Sequence, residues 1–138
     1  MANEALVAAI KHIVAVSRAG DLEQAYLGYR DLFAGPAFQG YRPEDQRQAL
    51  RLMVLAKNAP RTATKAMIEA HQAAVPVLTE LVSSHQEPGD HEMLGICHVI
   101  LGHEDAASQI FRAGLNIERT RNPGSDLCGE LMKRISFI

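Results

Sequence analysis

Between His91 and Leu115 the chain reads HEMLGICHVILGHEDAASQIFRAGL, and no other stretch restricts the fold as much. An apolar segment of helix length stops at a single glycine, Gly102, and a second helical segment follows. Glycine inside a helix costs about 1 kcal/mol relative to alanine, so Gly95 and Gly114 need a packing reason. Two antiparallel helices joined by a tight turn approach closely only where one offers a slim residue to the other's bulk. Gly95, Ala107 and Gly114 provide the gaps; Leu94, Phe111 and Leu115 provide the bulk. The expected unit is a helical hairpin.

At 138 residues the chain suits one domain, long enough to bury a core without disulfides or metals. Aromatics make up 5% and tryptophan is absent, so the core is expected to consist of Ala, Leu, Ile, Val and Met. No long strand-like alternation interrupts the helical periodicity, which predicts an all-α fold. A net charge of -2 and a pI near 6.3 leave no basic field to neutralise phosphates, which argues against nucleic acid as a partner. Five acids and no Lys or Arg lie between His85 and Asp105, giving an acidic, histidine-rich edge. Cys97 and Cys128 fall in apolar helical patterns without a C-x-x-C, as small buried hydrophobes in a reducing compartment. Glu4 and Lys11 interrupt the apolar N-terminus, and no segment approaches the roughly 20 apolar residues of a membrane span. A cytoplasmic protein without membrane association is expected.

The hairpin pattern recurs along the chain. Leu6, Ile10, Ile13 and Val14 mark a first helix capped by Asn3 and stopped by Gly20. Asp21 and Gln24 form the start of a second, running to about Ala34. Gly20, Ala25, Tyr29 and Leu32 repeat the offsets of Gly102, Ala107, Phe111 and Gly114. Pro43, Glu44 and Asp45 open a third helix running to Lys57. The fourth, with Ala63, Met67 and Ala70, places Asn58 where the other units have glycine. A kink or break is expected at Pro76, and Asp90 is expected to cap the fifth helix. Beyond Arg121-Asn122-Pro123-Gly124, Ser125 or Asp126 caps a final helix carrying Leu127, Leu131, Met132 and Ile135. Phe137 and Ile138, at its end, are expected to tuck into the core, with a homodimer through the C-terminal end as the alternative.

His91-x2-Leu94-Gly95-x2-His98 followed by Ala107-x3-Phe111 resembles the tetratricopeptide-repeat signature, with histidine in both aromatic slots of its first helix. The resemblance implies a right-handed α-solenoid of about three hairpins spanning 1–138, with units at about 3–37, 43–84 and 88–120. A capping helix at about 125–137 would complete it. The turn positions Gly20, Asn58 and Gly102 are about 38 and 44 residues apart, against about 34 in the family, so lengthened connections are expected. The resemblance further implies a protein-interaction module whose first helices line a concave groove. Its partner would be a protein or peptide, held by an adaptor or by a small chaperone for a secretion or assembly substrate. Size, mild acidity and repeat count are similar to those of the three-repeat chaperones of type III secretion.

Carried over by register, the groove takes Val7, Ile10, Val14, Ser17 and Arg18 from the first unit. The second supplies Asp45, Gln48, Leu52, Leu55 and Ala56, and the third Glu92, Ile96, Val99 and Ile100. These positions form an apolar floor with few charges, suited to an apolar helix or extended segment. Ile10 and Val14 stand where members that capture acidic chaperone C-termini use Lys and Asn, which argues against that function. No H-E-x-x-H, P-loop, Rossmann or nucleophile-elbow motif occurs, so no enzymatic activity and no cofactor are expected. The rival reading is a metal- or small-ligand-binding regulatory helical domain centred on His91, His98 and His103. His91 and His98 lie about 10 Å apart along one helix, too far to share an ion unaided, so no metal site is assigned.

Overall fold

A computed structural model of the protein describes residues 3–138. Seven α-helices and no strand occur among the described residues, so the chain is all-helical as its periodicity predicts. The helices are α1 (Glu4–Arg18), α2 (Leu22–Ala34), α3 (Pro43–Val54), α4 (Lys65–His85), α5 (Pro88–Ile100), α6 (Glu104–Arg121) and α7 (Asp126–Ser136). None of the described helices is long and apolar enough to cross a membrane. The chain divides into two compact units, Met1–Ala74 and Val75–Ile138, with the boundary inside α4.

In the first unit the start signals act as read. The Asn3 side chain accepts the Leu6 N–H at 3.1 Å and Asp21 accepts that of Gln24 at 3.2 Å, satisfying orphan donors at the starts of α1 and α2. Pro43 opens α3 at a position whose N–H would have no intrahelical acceptor. The core differs from the aliphatic one expected from composition. Tyr29 stacks on Phe33 at 5.7 Å, Phe33 meets Phe38 edge-on at 5.1 Å, and Phe38 meets Tyr41 at 5.6 Å. Phe38 sits on a single 3₁₀ turn, Phe38–Gly40, in the connection after α2. The Gln46 side-chain amide donates to its carbonyl at 2.8 Å, so this connection carries a buried plug.

The stretch expected to form the middle hairpin departs from expectation at its turn. The connection from α3 to α4 extends from Leu55 to Thr64, and Asn58 lies exposed within it. Among described non-glycine residues only Gln86 has positive φ, so Asn58 does not reproduce the conformation of Gly20 (φ +93°) or Gly102 (φ +82°). Thr64 Oγ1, which accepts the Met67 N–H at 3.3 Å, sets the start of α4, two residues beyond the expected Ala63. Nor does α4 end at Pro76. The proline removes one bond to the Gln72 carbonyl, but both residues are exposed, so the helix loses that bond on its solvent side.

In the second unit α5 starts at Pro88, placing Asp90 buried inside its first turn instead of capping it. A Cβ on Gly95 would collide with the Phe111 ring, with Cζ only 2.7 Å away, and one on Gly114 would stand 2.6 Å from His91 Cβ. The α5–α6 pair therefore packs at backbone distance, for the reason the glycines suggest. Helix α7 closes over it: Ala107, Phe111, Leu115, Cys128 and Leu131 form a cluster against which Ile96, Leu127 and Ile135 pack. Ser125 accepts the Cys128 N–H at 3.2 Å and donates to Glu118 at 3.0 Å, while Asn122 donates to the same carboxylate at 3.2 Å. A buried carboxylate is thereby satisfied at the α6–α7 corner. Phe137 does not tuck in; it is 79% exposed.

Candidate functional site

Helices α1 and α3 border a common cleft in the first unit. Leu6, Val7, Ile10 and Lys11 from α1 and Asp45, Gln48, Ala49 and Leu52 from α3 surround a cavity of about 150 Å³. The helical periods put Leu6 and Ala49 at its buried floor and leave Val7 and Leu52 exposed, 37% and 47%, at its mouth. Lys11 and Gln48 form an exposed polar edge. Asp45 is already engaged by Arg42, whose Nε donates at 3.1 Å, so its charge is balanced locally. The cleft can hold one bulky apolar side chain without desolvating an unpaired charge.

Other groove candidates lie elsewhere. Ser17 lines a narrow crevice with Tyr26, Tyr29, Leu52, Met53 and Ala56, of about 30 Å³. Val14 is half-buried and Arg18 and Leu55 are exposed, but none of the three lines the cleft. In the second unit Ile96, Val99 and Ile100 surround a different depression, of about 190 Å³, together with Phe111, Arg134, Phe137 and Ile138. The protein's own terminal helix thus supplies part of that wall. Glu92 is buried and accepts a 2.9 Å bond from Arg134 Nε, which ties α5 to α7. Spacing within α5 could not reveal this partner, because it lies far along the chain.

The histidines separate. His91 Nδ1 lies 2.9 Å from the Glu87 carbonyl and the residue is buried against Gly114. His98 and His103 face one another, Nδ1 to Nδ1 at 3.1 Å. Partial burial, and secondarily the neighbouring imidazole, hold His98 below its ordinary pKa. Among the described residues no three His, Cys, Asp or Glu side chains gather as a metal cluster, so the three-histidine centre does not assemble. Cys97 is fully buried and its thiol is pushed up to about 12 by that burial, which suppresses the thiolate needed for nucleophilic or ligand chemistry. Sequence reasoning also passed over His71, buried in the first unit, whose Nδ1–H donates to the Met67 carbonyl at 2.7 Å. Its position within the apolar stripe of α4 was the available signal. Comparison with protein-family models, with curated proteins and with solved structures returns no match to this chain.

Proposed function

We propose that the protein is a non-enzymatic interaction module, an adaptor or small holding chaperone, that seats an apolar anchor of a partner polypeptide in the α1–α3 cleft. The single observation that carries this reading is the cleft itself. Two amphipathic helices leave Val7, Ile10 and Leu52 around a cavity of about 150 Å³ instead of closing it. An apolar cavity of about that volume admits a group the size of benzene, and hence one Phe or Leu side chain from an amphipathic helix. Lys11 at the rim suits an acid flanking that anchor. The reading keeps the first-helix groove of a helical-hairpin array, and it is supported by the matching turns at Gly20 and Gly102.

The double variant Val7→Glu with Leu52→Glu places two carboxylates at the mouth on side chains already exposed. It is expected to keep its melting temperature and lose capture of the wild-type partner from lysate of the native host, read by mass spectrometry. Equal recovery of that partner by a folded double variant refutes the cleft as the binding face.

A further inference from the structure

Gly102 and its neighbours end α5 in a Schellman turn. The His103 N–H donates to the His98 carbonyl at 2.8 Å and the Gly102 N–H to that of Val99 at 3.1 Å, with Gly102 at φ +82°. The two residues joined by the first of these bonds, which spans six residues, commonly make an apolar contact across such a turn. Here both are histidine. Their rings lie 5.3 Å apart between centroids and their Nδ1 atoms 3.1 Å apart. The turn itself does not require this pair: at Gly20 the same bond links Asp21 N–H to the Val16 carbonyl, and no imidazole is present.

Two nitrogens at that spacing, each about 2.0–2.1 Å from one ion, subtend about 95–102° there, between square-planar and tetrahedral. The backbone turn holds the Cα atoms of His98 and His103 together before any ion arrives, which reduces the ordering cost of chelation, and each ring has to swing aside from the direct Nδ1–Nδ1 line to aim its lone pair at the ion. His103 is exposed and His98 half-buried, so an ion can enter from solvent. Glu104 and Asp105 follow directly, and no Lys or Arg lies between His85 and Asp105 to repel a cation.

We propose that His98 and His103 form a bidentate site, through both Nδ1 atoms, for a borderline divalent transition ion of the nickel, copper and zinc group. Water completes the coordination. In the metal-free pair one Nδ1 carries the hydrogen that the other accepts; on binding, that proton moves to Nε2 of the same ring through solvent, with no net release. His91 takes no part. The site is independent of the α1–α3 cleft and stands or falls separately from it.

The test is calorimetric titration of nickel chloride into the untagged full chain at pH 7.5. One ion per chain is expected, with affinity at least tenfold weaker in His98→Val and in His103→Ser, and changed less than twofold in His85→Gln. The absence of saturable one-to-one binding in the wild type, or unchanged affinity in either turn variant, overturns the proposal. Imidazole NMR of the wild type gives a second readout free of any folding defect. The His98 and His103 ring signals are expected to broaden first as nickel is added; broadening that begins at other histidines overturns the assignment.

Discussion

The α1–α2 and α5–α6 hairpins turn in the same way and place their gaps differently. Asp21 and His103 open the second helices at nearly identical dihedrals, φ -93° and ψ 73° against φ -95° and ψ 68°. The glycine before each is left-handed. Counting from that glycine, Ile13 corresponds to Gly95 and Tyr29 to Phe111. At this level of the second hairpin the slim residue is Gly95 on the first helix, filled by Phe111 from the second, while Gly114 on the second helix makes a further gap against His91; in the first hairpin the bulk is Ile13 and the gap is Gly28 on the second helix, where a Cβ would stand 2.9 Å from Ile13 Cγ1. A turn signal therefore fixes how two helices meet without fixing which of them carries the gap.

The contact can be broken most severely from its bulky side. Phe111→Ala should cost about 3–5 kcal/mol, because the ring is almost wholly buried between α5, α6 and α7. Gly95→Ala comes next, with a loss of about 1–3 kcal/mol from overpacking against a buried aromatic ring. Combining the two sharpens the comparison. With Phe111 truncated the collision disappears and the helix preference of alanine over glycine remains, so Gly95→Ala should then stabilise by up to about 1 kcal/mol. Urea denaturation of the four proteins decides it: the same sign for Gly95→Ala in both backgrounds would mean that Phe111 is not what requires the glycine. Gly28→Ala, whose Cβ would meet Ile13 at Cγ1 in a milder collision than that at Gly95, should cost less than about 1 kcal/mol because alanine's helix preference offsets part of the crowding.

The turns themselves should respond alike. A Cβ on Gly20 or Gly102 meets nothing within 4 Å, so alanine at either position suffers backbone strain alone, about 1–2 kcal/mol. Losses differing by more than about 1 kcal/mol would show that the shared dihedrals do not carry equal strain.

What was legible in the sequence follows the range of the interaction. Asn3, Asp21, Pro43 and Ser125 set helix starts through groups within three residues of themselves, and Gly20 and Gly102 set turns through their own φ. Ile10, Gln48 and Leu52, positions carried by the helical period, share one cleft. The failures involve distant or averaged quantities. Low aromatic content hid the concentration of Tyr29, Phe33, Phe38 and Tyr41 in one cluster. Glu92 reads as a groove residue until Arg134 folds back onto it. Asn58 has the composition of a turn residue, but the chain around it is long enough to connect α3 to α4 without a left-handed residue.

Acid should distinguish the two units by the smallest of these effects. His71 is buried in the first unit beside Tyr26, with ring centroids 6.1 Å apart, and burial lowers its pKa more than its bond to the Met67 carbonyl raises it. Above the unfolded value of about 6.5 both states hold a neutral ring and the full stability is present. As pH falls through that value the unfolded chain binds a proton that the folded chain refuses, so stability declines until the lower folded pKa is reached. In the second unit His98 shifts in the same direction, but it is only partly buried and its contribution is correspondingly weaker. Amide exchange between pH 7.5 and 5 should therefore show α2 and the first half of α4 losing protection ahead of α5 and α6. His71→Phe, which keeps an aromatic ring beside Tyr26 and removes the titration, should flatten the first-unit response. If α5 and α6 open first, or the slope survives in His71→Phe, the difference between the units does not arise from this histidine.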